Sequence, residues 1–221
     1  MGLTLVLAQA GCAAAQGAAP TVAPEEVQVL ALGDSLTAGF GLPPDQGFVA
    51  VLNRWLDDRG VDAEVVNAGI SGDTTAGGRA RLAWSLTDEI DAAIVALGGN
   101  DLLRGIDPAT SRENLDAILA ELGERGLPAL LVGIEAPGNY GPAYKAAFDG
   151  MYVDLSREYG ALLETSFLGP LLVAAAGDIG TARARYLQPD GIHPNAAGVE
   201  VIVEVLGPRV AELVERVDAG S

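Results

Sequence analysis

The stretch that decides the fold reads AAIVALGGND, residues 92–101: six apolar residues, then two glycines, an asparagine and an aspartate. An unbroken apolar run of this length predicts a strand that is covered by helices on both faces of a sheet. Similar runs lie at residues 27–32 and 129–134, and shorter candidate strands lie at 64–67 and 162–166. The sequence therefore predicts five strands.

Longer amphipathic stretches separate these strands. Apolar residues recur at helical spacing through residues 48–56, and Gly60 ends that helix. Another helix begins at Asp107-Pro108 and runs to about residue 122, because aspartate caps free N–H groups and proline suits the first turn. Two further helices are predicted at residues 144–159 and 196–217.

Strand and helix alternate along the chain, which predicts an α/β fold with a parallel sheet, right-handed crossovers and helices on both faces. Ligands of such sheets bind beyond the carboxyl ends of the strands. The 221 residues suit one domain, which we place at residues 27–221. We find no internal repeat.

The composition narrows the classes of function. The formal net charge is -17, which would repel phosphate backbones, so we expect no nucleic acid partner. The chain has one cysteine, Cys12, and one histidine, His193. An intramolecular disulfide is therefore excluded, the usual kind of zinc site is not expected, and any catalysis by histidine depends on His193.

Residues 1–26 are predicted to be a signal-like segment and a linker. A short apolar run at residues 3–8 is followed by small residues with A-x-A patterns, as in secretory signals. We therefore expect an exported protein, periplasmic or secreted. Gly11-Cys12 also resembles a lipobox, although Gln9 departs from it, and an Ala-rich terminus without a targeting role is the alternative.

Four loops follow predicted strands or precede the closing helix, and each carries groups useful for catalysis. Ser35 lies where the first strand ends, and Gly72 lies in a loop where glycine lets backbone N–H groups approach a ligand. Asn100 at a strand end can donate a hydrogen bond to an oxyanion. Asp190 and His193 share one turn, so the carboxylate can accept the Nδ1–H and leave Nε2 free as a base. Taken singly, each loop can also be explained as an ordinary turn or helix cap, although a sole histidine beside an aspartate, between two prolines, makes that explanation less attractive for the last loop.

Together the four loops resemble the sequence blocks of the SGNH hydrolases, also called GDSL esterases and lipases. The matching segments are Gly33-Asp34-Ser35-Leu36, Gly72, Gly98-Gly99-Asn100-Asp101 and Asp190-Gly191-Ile192-His193-Pro194. Within the family, the chain is most similar to the bacterial periplasmic branch of multifunctional thioesterases, arylesterases and lysophospholipases. The resemblance implies a flavodoxin-like three-layer α/β/α sandwich, no cofactor and no metal.

The family roles then fall on matching positions. Ser35 would be the nucleophile, His193 its base and Asp190 the partner of that base. The backbone N–H groups of Ser35 and Gly72 and the side chain of Asn100 would form the oxyanion hole. We expect the substrate to contact residues that adjoin these blocks or lie in the substrate loop of the branch, residues 135–141: Asp34, Gly99, Asp101, Leu102, Pro137, Asn139, Tyr140 and Ile192.

The expected function is hydrolysis of carboxylic esters, thioesters or lysolipids through an acyl-enzyme on Ser35, by a monomer that contacts lipid. Apolar residues near the loops are candidates for an acyl site or for plain core packing: Phe40, Leu42, Leu102, Leu103 and Ile106. Alternatives are a carbohydrate or peptidoglycan O-deacetylase and a periplasmic binding pseudoenzyme. A further alternative is a metal-dependent phosphoesterase that uses four aspartates as hard oxygen ligands: Asp34, Asp73, Asp101 and Asp190.

Overall fold

The computed structural model describes residues 1–2 and 26–220, without the side chains of residues 218 and 220. Apart from residues 1–2, the predicted signal-like segment lies outside the described residues, as do Cys12 and all of the linker but residue 26. The described elements, in chain order, are strands β1 Val27–Gly33, β2 Ala63–Gly69, β3 Ala92–Ala96, β4 Ala129–Val132 and β5 Leu162–Glu164, and helices α1 Ser35–Ala38, α2 Phe48–Asp57, α3 Thr75–Ser85, α4 Gly99–Leu103, α5 Pro108–Glu124, α6 Pro142–Tyr159, α7 Gly169–Ala174, α8 Ile179–Tyr186 and α9 Ala196–Gly220. Single 3₁₀ turns lie at Pro44–Gln46 and Gly138–Tyr140.

The five strands form one parallel sheet in the order β2-β1-β3-β4-β5. This order is that of flavodoxin-like folds, in which the chain first winds to one side of β1 and then crosses to the other. The predicted fold class is therefore confirmed. The point where the winding reverses lies between the carboxyl ends of β1 and β3.

The central strands are buried on both faces because their side chains alternate between two cores. In β1, Val29 and Ala31 belong to one core, and Leu30 and Leu32 belong to the other. The first core packs under α2, α7, α8 and α9, and the second packs under α3, α5 and α6. This two-sided cover explains why β3 is an unbroken apolar run in the sequence.

Helix capping follows the local sequence at the predicted positions. The Asp107 carboxylate accepts the Ala109 N–H at 2.9 Å, and Pro108 is the first residue of α5. The closing helix α9 begins after Asn195, whose Oδ1 accepts the Gly198 N–H at 2.9 Å.

Several elements were not expected. Helix α3 contains two glycines and only a weak apolar stripe, so its sequence did not indicate a helix. Thr74, which precedes it, nevertheless caps the helix: its side-chain oxygen accepts the Gly77 N–H at 3.3 Å. The short helices α4, α7 and α8 were also missed. The predicted strand at residues 129–134 ends at Val132. The Gly133 N–H still donates to Glu164 O at 2.8 Å, but the Gly133 carbonyl accepts from Phe167, which lies beyond the end of β5.

Candidate active site

The candidate site lies at the carboxyl edge of the sheet, beside the point where the winding reverses. Ser35 follows β1, Gly72 follows β2 and Asn100 follows β3. The loop between α8 and α9, residues 187–195, brings His193 to the same edge. The four predicted loops therefore meet in space, at the place where ligands of such sheets bind.

Ser35 is the first residue of the short helix α1. The preceding Asp34 caps this helix, with Oδ1 accepting the Leu36 N–H at 3.0 Å. Gly39 ends it in the left-handed conformation, with φ of 77°. Backbone N–H groups in a first helical turn have no acceptor within the helix, so the Ser35 N–H is available to a ligand.

Ser35, His193 and Asp190 form a continuous row of hydrogen-bonded groups. The His193 Nε2 lies 2.9 Å from Ser35 Oγ, and its Nδ1 lies 2.6 Å from Asp190 Oδ2. With the Nδ1–H donated to the carboxylate, Nε2 is left as an acceptor for the serine proton. The structure thus brings together the three residues that the sequence placed in catalytic roles.

Asp190 is held in its charged form. Its Oδ1 accepts the backbone N–H groups of Ile192, at 2.9 Å, and His193, at 3.1 Å. The Ile192 N–H, then the imidazole and the His193 N–H, lower the Asp190 pKa from 3.8 to about 2. The carboxylate therefore stays ionised and can orient the imidazole over the whole neutral range.

Gln188 ties the histidine-bearing loop to the nucleophile helix. Its side-chain amide donates to Phe40 O at 2.7 Å and to Pro194 O at 2.9 Å. Its backbone N–H donates to His193 O at 2.8 Å, and Leu187 pairs with Pro194 in a β-bridge. The Phe40 ring lies 4.6 Å from the imidazole, centroid to centroid. These contacts restrict the position of the base relative to Ser35.

The loop that carries Gly72 is held by two arginines. Gly72 has a φ of 88°, a value that glycine adopts without strain. Arg104 donates to Gly72 O at 2.8 Å. Arg81 donates to Asp73 Oδ2 at 2.6 Å and to Gly33 O at 2.9 Å, so it links this loop to the end of β1.

The Asn100 side chain faces the same place from α4. Its Nδ2 donates to Asp73 O at 2.9 Å and to Asp34 Oδ2 at 3.2 Å. Burial raises the Asp34 pKa from 3.8 to about 6, although the Leu36 N–H, the His193 ring and Asn100 oppose this shift. Fixed donors at this edge can stabilise a negative oxygen that forms on a substrate.

A cleft of about 560 Å³ opens beside Ser35. Its size suits a small organic ligand, and most of its surface is apolar. Apart from the three oxyanion positions and His193, the lining comes from residues around the strand ends: Asp34, Leu36, Phe40, Ser71, Gly99, Leu102, Leu103, Ile134, Glu135, Pro137, Leu168, Gly191 and Ile192.

Five of the eight residues expected to contact substrate line this cleft: Asp34, Gly99, Leu102, Pro137 and Ile192. Asp101 does not line it. Its buried carboxylate accepts the Thr75 N–H at 2.8 Å and the Ser111 hydroxyl at 2.9 Å, which fixes α4 to α3 and α5.

Asn139 and Tyr140 also lie outside the cleft lining. Both are exposed in the 3₁₀ turn, and the Tyr140 ring rests against Tyr144 at 4.8 Å. Among the apolar candidates, Phe40, Leu102 and Leu103 line the cleft, whereas Leu42 packs against the first core and Ile106 lies outside the lining.

The four aspartates of the phosphoesterase alternative are engaged separately. Asp34 accepts hydrogen bonds from Leu36 and Asn100, and Asp73 pairs with Arg81. Asp101 accepts hydrogen bonds from Thr75 and Ser111, and Asp190 bonds His193. Within the part of the chain that the structure describes, no group of three or more His, Cys, Asp or Glu side chains is arranged to hold a metal ion.

Some residues of the site were not found from the sequence. Gln188, Arg81 and Arg104 act through contacts between distant segments, and no local pattern signals such contacts. Ile134 and Leu168 line the cleft, but in the sequence they look like ordinary core residues. Ser71 adjoins Gly72, so proximity to that block was the only available signal for it. Glu135, by contrast, falls within the substrate loop that the resemblance placed at residues 135–141.

A hydroxyl, an imidazole and a carboxylate in one hydrogen-bonded row, beside fixed donors for negative oxygen, define the site of a serine hydrolase. Comparison with known proteins gives the particular family. Residues 31–201 match the GDSL-like lipase/acylhydrolase family, and the chain belongs to it.

Named relatives cover most of the chain. It is 42% identical over 188 residues to the esterase TesA of Pseudomonas aeruginosa, across 84% of this chain and 88% of that protein. It is 34% identical to thioesterase 1/protease 1/lysophospholipase L1 of Escherichia coli K12, across 84% of each. The crystal structure of AlinE4, an SGNH-hydrolase family esterase, matches with a TM-score of 0.67 and 43% identity, across 86% of this chain and 98% of that one.

Proposed function

We propose that the protein hydrolyses carboxylic esters in two steps through an acyl-enzyme on Ser35. The observation that carries this proposal is the row from Ser35 Oγ to His193 Nε2, at 2.9 Å, and from His193 Nδ1 to Asp190 Oδ2, at 2.6 Å. The row ends inside an apolar cleft that also holds Gly72 and Asn100.

In the first step, His193 takes the Ser35 proton while the serine oxygen attacks the ester carbonyl carbon. The carbonyl oxygen becomes negative and is bound by the Ser35 and Gly72 N–H groups and the Asn100 amide. The imidazolium, stabilised by Asp190, then protonates the leaving alcohol as the bond to it breaks. Water repeats the sequence on the acyl-enzyme and releases the acid.

The cleft supports an acyl chain as the part of the substrate that it binds. Leu36, Leu102, Leu103, Ile134 and Leu168 offer apolar surface next to Ser35. The named relatives are an esterase and a thioesterase/lysophospholipase, so we propose acyl esters, acyl thioesters and lysophospholipids as substrate classes. The same two steps release a thiol when the leaving atom is sulfur.

The test is hydrolysis of p-nitrophenyl esters by the wild type and by Ser35→Ala and His193→Ala. Each variant should lose about 10⁴-fold or more in kcat while its circular dichroism spectrum is unchanged. Wild-type turnover in either variant would refute the mechanism. A panel of acetyl and longer acyl esters, acyl thioesters and lysophospholipids then separates the substrate classes, and activity confined to acetyl esters would favour the deacetylase alternative.

We also propose that the protein is exported, acts as a monomer and contacts lipid at the cleft mouth. The signal-like residues 1–17 support export, and the exposed side chains of Phe40, Leu103 and Ile192 beside the cleft support lipid contact. None of the helices in the described part of the chain has the length and apolar character needed to cross a membrane. Fractionation of cells, sedimentation and vesicle flotation test these three points in turn.

A further inference from the structure

A buried carboxylate lies in the cleft and has no part in the two-step mechanism. Asp34 is 3% exposed, and within the described residues no Lys, Arg or His nitrogen lies within ion-pairing distance of it. Burying a carboxylate without an ion pair is unfavourable unless hydrogen bonds satisfy it. Asp34 Oδ1 accepts the Leu36 N–H at 3.0 Å, and Oδ2 accepts Asn100 Nδ2 at 3.2 Å.

The Asn100 amide contributes to an oxyanion hole in only one of its two orientations. Its nitrogen donates hydrogen bonds, whereas its oxygen would repel a negative oxygen. Nδ2 faces two acceptors, Asp73 O at 2.9 Å and Asp34 Oδ2 at 3.2 Å. Rotating the amide by 180° would place its oxygen against both of them, so these two acceptors select the orientation that donates.

We propose that Asp34 is a positioning residue, which holds the Asn100 amide with its nitrogen toward the oxyanion that forms on the substrate. The contact of Nδ2 with Asp34 is longer than its contact with Asp73 O, 3.2 Å against 2.9 Å. Asp73 O helps to keep the amide in place. This inference rests on the proposed ester hydrolysis.

The role requires an ionised Asp34, because a protonated carboxyl presents an O–H where Asn100 needs an acceptor. Burial raises the Asp34 pKa to about 6, so this group titrates within the working range. The charged groups around it are the His193 imidazole on the catalytic loop, Asp101 on α4, and Arg81 of α3, which binds the carbonyl of Gly33. Protonation of Asp34 in acid should therefore remove the acceptor that holds the Asn100 amide, and activity should fall with it.

The first test compares Asp34→Asn with Asp91→Asn as a matched control. Asp91 Oδ2 accepts the Gln28 N–H at 2.9 Å at the opposite end of β1, far from Ser35. Asp34→Asn should lower kcat for a p-nitrophenyl ester about 10- to 100-fold, less than the loss of about 10²–10³ on removing one oxyanion donor, and leave KM within about twofold. Asp91→Asn should keep both constants within about twofold of wild type.

A double-mutant cycle shows whether Asp34 acts through Asn100. Asn100→Ala alone should cost about 10²–10³ in kcat, and adding Asp34→Asn to it should cost less than about threefold more. If Asp34→Asn lowers kcat by the same factor in both backgrounds, it does not act through Asn100, and the proposal is overturned.

The pH profile of kcat/KM gives a readout that does not depend on how well Asp34→Asn folds. On the acid side, its logarithm should fall more steeply in the wild type than in Asn100→Ala, where Asp34 has no amide to position. Acid limbs of equal slope in the two proteins would contradict the proposal.

The two proposals fail separately. Absence of ester hydrolysis in the wild type refutes the proposed function. Wild-type hydrolysis that is lost in Ser35→Ala, together with an unchanged kcat in Asp34→Asn, refutes the positioning role alone.

Discussion

Asp34 shows how a single residue can lower stability while serving the site. Its pKa rises from 3.8 to about 6 chiefly because burial disfavours the carboxylate. Each unit of pKa shift corresponds to about 1.36 kcal/mol, so the raised pKa means that ionised Asp34 destabilises the fold by about 3 kcal/mol at neutral pH. The native state binds the Asp34 proton more tightly than the unfolded chain does. The contribution of Asp34 to the free energy of unfolding therefore falls as the pH rises from about 4 to 6.

Asp34→Asn should therefore raise the melting temperature at pH 7.5. The amide removes the buried charge but loses part of the bonding to Leu36 and Asn100, so we expect a net gain of roughly 2–6 °C. At pH 4.5, where native Asp34 is already protonated, the difference between variant and wild type should shrink. Calorimetry at both pH values measures this, and a variant that is less stable at pH 7.5 would show that the hydrogen bonds outweigh the charge.

Site residues that the structure brings together could be predicted from the sequence where their pattern is local. Ser35, Asp190 and His193 stand in turns next to apolar strands or at a helix start, and these patterns can be read directly. Asp101 was misplaced because a carboxylate beside Asn100 in the chain looks equally able to face the cleft. Its burial depends on Thr75 and Ser111, which approach only in the folded chain.

At the level of elements, the loop of residues 187–195 converts a helix-to-helix connection into a rigid support for the base. The Gln188 side chain contributes two hydrogen bonds, one to Phe40 O outside the loop and one to Pro194 O within it. The support matters because misplacing a catalytic group by about 1 Å can cost about 10²-fold in rate.

Gln188→Ala should lower kcat about tenfold while changing the melting temperature little, because only exposed and partly buried bonds are lost. Gln28→Ala is the matched control. That glutamine makes a 3.5 Å contact with Glu64 near the amino end of β1, so kcat should stay at the wild-type value. Equal activity of both variants would mean that the loop is held without Gln188.

Strands and helices with a clear spacing of apolar residues were predicted from the sequence. Helices in which that spacing is weak were not predicted. The strands β1, β3 and β4 are buried on both faces and therefore read as apolar runs. Helix α3 was missed because Gly77 and Gly78 dilute its pattern. Leu97 explains one of them: a Cβ at Gly78 would collide with the Cδ1 of this fully buried leucine, so the close packing of α3 on Leu97 favours glycine there.

Across the whole molecule, repulsion among the excess negative charges destabilises the folded state. The net charge of -17 is spread over 221 residues, and exposed ion pairs such as Arg54–Glu200 contribute only about 0–1 kcal/mol each. Screening by salt should therefore weaken the repulsion among the excess acidic side chains more than it weakens the attraction within the ion pairs.

Raising NaCl from about 10 mM to about 0.5 M at pH 7.5 should increase the melting temperature, since the screening length falls well below the size of the domain. At pH 4.5 the increase should be smaller, because many carboxylates are then protonated. A melting temperature that falls with salt would show that the ion pairs dominate instead.

The proposed mechanism depends most on the reactivity of the Ser35 hydroxyl. A fluorophosphonate probe measures this reactivity directly. Intact-mass and peptide mass spectrometry of the labelled protein should show a single phosphonyl group, located on Ser35, and His193→Ala should label far more slowly. Failure of the wild type to react, or a label on another residue while Ser35 remains free, would contradict the assignment of the nucleophile.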